Sequence, residues 1–188
     1  MAEHVIPGLV IARRFLEPRN QNVLIQAIDS GEWSSELKRR VQHFGYRYDY
    51  TARRISATPE APLVPEWGKR LARQMQERGI TNQQFDQLIV NEYLPGQGIA
   101  AHVDSVLCFE NEIISISLGS ACVMAFSHPI EGKKFAVLLE PGDLLRIKDE
   151  ARHQWCHQIK PRKSDRWQGR TLPRGRRVSV TFRRVLLP

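Results

Sequence analysis

The chain has 188 residues, 41% of them hydrophobic and 26% charged, with a net charge of +8. That balance predicts one soluble globular domain with a core of its own, and the lack of any apolar run of about 18 residues argues against a membrane-spanning helix. Three widely spaced cysteines, Cys108, Cys122 and Cys156, exclude a disulfide framework or zinc ribbon; with no secretory pattern at the start they predict a cytoplasmic protein, and no obligate protein partner is evident.

Residues 3 to 16 read as extended chain with a turn at Pro7-Gly8. Residues 18 to 29 read as a helix: Pro18 suits its first turn, and Val23, Leu24, Ala27 and Ile28 share a face. A second helix is expected from Pro65 to Arg78, where Trp67, Leu71 and Met75 recur at four-residue spacing and Gly79 offers a stop. From Phe85 the texture changes to short strands: Phe85–Leu94, Glu112–Leu118, Ala121–Ser127, Phe135–Glu140, Asp143–Ile147 and Arg176–Val185. Pro95-Gly96, Gly119-Ser120 and Pro141-Gly142 separate them, together with a basic loop. Helices followed by many strands predict an α+β chain. Its N-terminal helices, within about residues 1–84, pack on a double-stranded β-helix, or jelly-roll, core over about 85–188.

The charge is unevenly placed. Residues 158 to 177 hold eight basic side chains against Asp165 alone, a net +7 that nearly matches the whole chain. Lys160, Arg162 and Lys163 lead this segment. Such a cluster attracts phosphate backbones by releasing their counterions, and it also fits a merely solvated loop.

His102-Val103-Asp104 sets an imidazole and a carboxylate two residues apart, which on extended chain point the same way and can grip one metal. His153 and His157, about 50 residues downstream, are both candidates for a third ligand. Two histidines and one carboxylate leave coordination sites open for oxygen and a chelating cosubstrate, the non-haem Fe(II) arrangement. In the last strand, alternation groups Arg177, Ser179, Thr181 and Arg183 on one face and Val178, Val180 and Phe182 on the other. Either face could be the inner one. Arginines turned inward would need anions to neutralise them. Upstream, Asn91 and Tyr93 share a strand face and could donate to a carboxylate. Metal ligands and a dicarboxylate clamp together suit one reaction, in which iron, 2-oxoglutarate and molecular oxygen hydroxylate a carbon–hydrogen bond.

Five pieces in this order resemble the AlkB-type Fe(II)/2-oxoglutarate dioxygenases across roughly residues 41 to 185. They are Gly45-Tyr46-Arg47-Tyr48, Asn91-Glu92-Tyr93-Leu94-Pro95-Gly96, His102-Val103-Asp104, Trp155-Cys156-His157 and Arg177-Val-Ser-Val-Thr-Phe-Arg183. The resemblance implies that His102, Asp104 and His157 bind iron, His157 being preferred to His153 because it follows Trp155 by two residues. It implies that Arg177 holds the far carboxylate of 2-oxoglutarate with help from Asn91 and Tyr93, that Arg183 sits nearer the metal, and that the arginine face points inward. Tyr46 and Tyr48 match the family's nucleotide-recognition lid, where rings contact a base turned out of its stack.

The best-studied repair members carry acidic residues after the His-x-Asp; here the run is Ser105-Val106-Leu107-Cys108-Phe109. Residues 95–99, 117–120 and 160–163 look more like the tRNA wobble-uridine hydroxylase branch. That branch usually carries further RNA-binding and methyltransferase domains, for which 188 residues leave no room. The first functional expectation is therefore oxidative demethylation of N-alkylated bases in DNA or RNA, as in alkylation damage repair. The second is hydroxylation of a modified tRNA uridine. The third, of another class, is a non-catalytic basic nucleic-acid-binding module.

Overall fold

The computed structural model describes residues 6–35, 37–49, 54–55 and 61–187. In chain order the elements are β1 (Leu9–Ala12), α1 (Pro18–Asp29), β2 (Val41–Phe44), β3 (Tyr48–Asp49), β4 (Arg54–Ile55), α2 (Glu66–Glu77), β5 (Gln87–Tyr93), β6 (Ile99–His102) and β7 (Glu112–Gly119). There follow β8 (Cys122–Ser127), β9 (Lys134–Leu139), β10 (Leu144–Lys148), α3 (Asp149–His153), β11 (Cys156–Ile159), β12 (Ser164–Trp167), β13 (Arg170–Pro173) and β14 (Arg177–Arg183).

Two antiparallel sheets face each other, as a jelly roll requires. The larger runs β1-β10-β7-β14-β5-β2 and the smaller β6-β11-β8-β9. Between them lies one core, built from Leu145 and Ile147 of β10, Met124 and Phe126 of β8, Leu139 of β9 and Ile159 of β11. On the outer face of the larger sheet, Val178, Val180, Phe182, Leu88, Val90, Ile114 and Ile116 pack beneath Leu24 and Ile28 of α1 and Leu71 and Met75 of α2. The helices are therefore a second layer that seals this face.

Both helices start and stop where local chemistry directs. Pro18 occupies the first turn of α1, and Pro65 and Arg78 flank α2 as its caps. Past α2, Gly79 takes φ +67° and the Ile80 N–H donates to the Met75 carbonyl, closing the helix end. Gly68 lets α2 approach the sheet, since a Cβ there would lie 3.1 Å from Leu88 Cδ1.

The structure corrects the expected outline in two places and leaves one part of it outside the described residues. The division near residue 84 does not separate helices from sheet, because β1 and β2 form the two edges of the larger sheet. Residues 3–5 of the extended N-terminal stretch lie outside the described residues. The basic segment 158–177 is not simply a loop: β12 and β13 pair there as a hairpin, with Ser164 opposite Pro173 and Trp167 opposite Arg170. Its polar, basic composition hid the alternation that marks a strand. No helix among the described residues is long and apolar enough to cross a membrane.

Candidate active site

Strand β6 ends on His102 and β11 begins Cys156-His157, and their pairing sets His102 opposite His157. The ring centroids are 4.3 Å apart. Asp104 lies just past the end of β6 and is buried. The ligating atoms of His102, Asp104 and His157 all fall within 4.8 Å of one another. That spacing suits one ion held by two imidazoles and a carboxylate. The His102 Nδ1 is 2.8 Å from the Ala100 carbonyl. A carbonyl can only accept, so Nδ1 carries the proton and Nε2 offers its lone pair to the site. His153 ends α3, exposed, with Nε2 2.8 Å from Asn111 Oδ1, and is not part of this cluster.

Charges around the cluster keep it ready for a cation. Burial works to raise the Asp104 carboxyl, but Arg183, with His157, His102 and Arg152 adding to it, outweighs burial and holds it at about 2. Arg183 donates to Asp104 Oδ1 at 2.5 Å, while Oδ2 faces His157 Nε2 at 3.5 Å. Burial pushes the His157 imidazole down to about 4, against the pull of Asp104. At neutral pH His157 is an uncharged donor and Asp104 an anion, as metal binding demands.

The arginine face of β14 points inward. Val178, Val180 and Phe182 lie under the helices, and Arg177, Ser179 and Thr181 are buried on the opposite face. Both faces are covered, so the alternative in which the arginines meet water does not hold. Arg177 pairs across the strands with Tyr93 and Ser179 with Asn91, which gathers all four on one patch. The Arg177 Nη2 donates to Ser117 Oγ at 2.8 Å, and the guanidinium lies 5.5 Å from the Tyr93 ring centre. Its Nε and Nη1 are buried and bond to no described residue. Unsatisfied N–H groups on a buried cation fit an anion such as a carboxylate. Burial also pushes the Tyr93 phenol up, so it keeps its proton for donation. The triad therefore fits Fe(II), and the patch fits the far end of a keto diacid.

A cavity of about 620 Å³ opens over His102 and Asp104, bordered by Arg39, Tyr48, Asn91, Val106, Phe109 and Arg183 among others. Tyr48 packs against Phe109, with ring centres 5.7 Å apart. Tyr46 instead lines a separate cavity beside α2, with Leu63 and Gly68. Lys160, Arg162 and Lys163 lie outside the cavity, exposed beyond the end of β11.

Two arginines escaped the reading of the sequence. Arg39 sits in a Lys-Arg-Arg run that looks like a solvated turn, yet its Nε donates to Asn91 Oδ1 at 2.9 Å and its guanidinium borders the cavity. Arg152, in the short α3, is 2% exposed and donates to the carbonyls of Asp104, Ser105 and Phe109 at 2.7, 3.1 and 3.4 Å. It ties down the segment that follows the metal-ligand motif. Neither residue had a periodic or motif signal.

A family model described as the 2OG-Fe(II) oxygenase superfamily matches residues 8–183. The chain belongs to that superfamily, and is thus a dioxygenase that works with Fe(II), 2-oxoglutarate and molecular oxygen. Its similarities lie with the AlkB-type branch. It is 36% identical over 203 residues to tRNA (carboxymethyluridine(34)-5-O)-methyltransferase alkbh8 of Xenopus tropicalis, an alignment covering 95% of this chain and 32% of that protein. The chain thus spans about a third of that relative's length. The uncharacterized protein L905 of Acanthamoeba polyphaga mimivirus is 37% identical over 181 residues, with 95% of this chain and 85% of that one covered. The solved structure of OsALKBH1 superposes with a TM-score of 0.72 at 19% identity, over 97% of this chain and 99% of that one. This last similarity establishes the fold.

Proposed function

We propose that the chain hydroxylates a carbon on a modified uridine in tRNA, with His102, Asp104 and His157 holding iron. Arg177 grips the far carboxylate of 2-oxoglutarate, assisted by Asn91 and Tyr93. When bound, iron lets oxygen and 2-oxoglutarate become succinate and carbon dioxide while one oxygen atom enters a substrate carbon–hydrogen bond. The protein's own residues position and exclude. Arg183 occupies Asp104 Oδ1 and leaves Oδ2 for the metal. Tyr48 and Phe109 wall the cavity with rings against which a flipped base can lie.

The observation that carries this reading is the cavity's charge. Among its described lining residues the only carboxylate is Asp104, which is already paired with Arg183, whereas Arg39 brings a further cation. Bases such as N1-methyladenine carry a positive charge and would meet no free counter-charge. A neutral uridine presents carbonyl oxygens, which suit the Arg39 N–H groups. The Xenopus relative is named for a uridine in tRNA, which supports the same choice.

To test it, iron-loaded protein is supplied with 2-oxoglutarate, oxygen and either total tRNA or methylated DNA and RNA, and nucleosides are compared by mass spectrometry. The expected product is a uridine derivative heavier by one oxygen atom, without formaldehyde. Formaldehyde release with restored bases from the methylated strands, and unaltered tRNA uridines, would return the function to oxidative demethylation.

A further inference from the structure

The basic segment 158–177 splits into two populations once folded. The Arg174 side chain is covered and grips Asp165 at two points, 2.6 and 2.8 Å, while Arg176 bridges Asp29 and Glu92. These charges are satisfied internally. Lys160, Arg162 and Lys163 are exposed, and their side chains make no hydrogen bond or ion pair with a described residue.

The fold adds a cation that the sequence holds far away. Gln97 Nε2 donates to the Lys38 carbonyl at 2.7 Å, and the Gly96 N–H donates to the Arg162 carbonyl at 3.1 Å. Arg174 Nη1 donates to the Lys160 carbonyl at 2.7 Å. A Cβ on Gly98 would lie 2.1 Å from the Ile159 carbonyl, so only glycine permits this approach. Three stretches, 37–40, 94–98 and 159–164, are thereby bound into one ridge, and none of them contains an acidic residue. The ridge is also close to the chemistry. Ile99, at the cavity wall, pairs with Ile159, and Lys160 follows His157 by three residues, about 10 Å of extended chain.

We infer that Lys38, Lys160, Arg162 and Lys163 form a phosphate-binding ridge that receives the backbone of a single-stranded nucleic acid on one flank of the metal site. Hydrogen bonds to the carbonyls of Lys38, Lys160 and Arg162 fix the backbone of the ridge, so its cations are anchored side by side. Arg174 shapes it from beneath and touches no phosphate. The inference rests on the reading of the substrate as nucleic acid, but not on which base is oxidised.

The test is equilibrium binding of an unmodified single-stranded RNA, and of DNA of the same sequence, across a salt series. Each phosphate contact on a single strand contributes about 0.7 to the slope of log affinity against log salt. Replacing Lys160, Arg162 and Lys163 together by Gln is expected to lower that slope by about 2, and Lys38→Gln alone by about 0.7. Lys134→Gln, on the far edge of the smaller sheet, and Arg176→Gln are expected to leave it unchanged. Equal losses on RNA and DNA identify the shared phosphate; a loss on RNA alone places ribose in the contact and overturns the phosphate assignment. A wild-type slope in the triple variant, or a drop in the two controls as large as that of Lys38→Gln, would dissolve the ridge into diffuse net charge. Because the strands are unmodified and no turnover is read, this outcome is independent of the mass-spectrometric test of the base.

Discussion

The centre of the larger sheet is buried on both faces, and the smaller sheet is not. Every residue of β5 is buried, as is nearly every residue of β14, whereas β8 alternates strictly between buried and partly exposed. The two sheets also divide the site. The larger carries Asn91, Tyr93, Arg177 and Arg183; the smaller carries His102 and His157. Groups suited to the keto acid therefore stand on a doubly packed platform, where neighbours on each side fix their direction. Groups suited to the metal stand on a thinner sheet and the turn beyond it. They need added ties, which Arg183 and Arg152 supply through Asp104 and its following carbonyls. Rigidity comes from packing on one side of the cavity and from buried hydrogen bonds on the other.

The largest effect expected on the thinner side is loss of the metal. His102→Ala or Asp104→Ala is expected to abolish 2-oxoglutarate turnover and lower iron content, measured by metal analysis of purified protein. The melting temperature of His102→Ala should change little, since that residue belongs to no core cluster, whereas Asp104→Ala also unpairs Arg183 and should melt lower. Unfolding of either variant would show that the histidine sheet depends on its ligands for its shape.

Next comes the tie itself. Arg152→Met leaves three carbonyls without their charged donor, and a cost of roughly 2–3 kcal/mol is expected in denaturant unfolding. Iron affinity should fall as well, although no ligand is altered. Unchanged stability would mean that packing alone holds the 104–109 segment.

On the platform side, Arg177→Lys keeps the charge but loses the two-point geometry. The expected weakening of 2-oxoglutarate binding is about 1–3 kcal/mol, or about 5- to 150-fold. It can be followed by the absorption band of the anaerobic Fe(II) complex. Arg184→Lys, on the opposite face and paired with Glu110, serves as the control and should bind normally.

A graded effect concerns acid. The folded His157 titrates at about 4, below its ordinary 6.5. Between those values the unfolded chain accepts a proton that the fold excludes, so the metal-free protein loses stability as pH falls from 6.5 towards 4. Asp104, held at about 2, carries the decline further in the same direction. A melting series in chelator should show this slope, reduced in His157→Asn. The smallest effect is that of His153→Ala, whose exposed bond to Asn111 lies outside the site and whose loss should leave iron content unaltered.

Much of this division was legible in the residues. Period-two alternation in 177–183 grouped the arginines correctly, because a strand's geometry fixes which side chains are neighbours. It could not say which face was inner, since that depends on α1 and α2, packed from elsewhere in the chain. The helices were readable from Pro18, Gly79 and apolar spacing. Short strands such as β6 and β11 were not, because four residues of mixed polarity carry no periodic signal. Arg152 and Arg39 were invisible for another reason. Each becomes significant only through partners about 50 residues away in sequence, which no local pattern encodes.

The edge positions of β1 and β2 bear on how the protein can be cut. A fragment beginning at Phe85 would contain every residue of the triad and the arginine patch. It would also leave β10 and β5 with unpaired outer edges and strip α1 and α2 from the apolar face they cover. Open strand edges beside bare apolar surface invite sheet-to-sheet joining between molecules. Such a fragment is expected to accumulate as insoluble aggregate, which makes β1, α1, β2 and α2 an intramolecular guard against self-association as much as a support for the site.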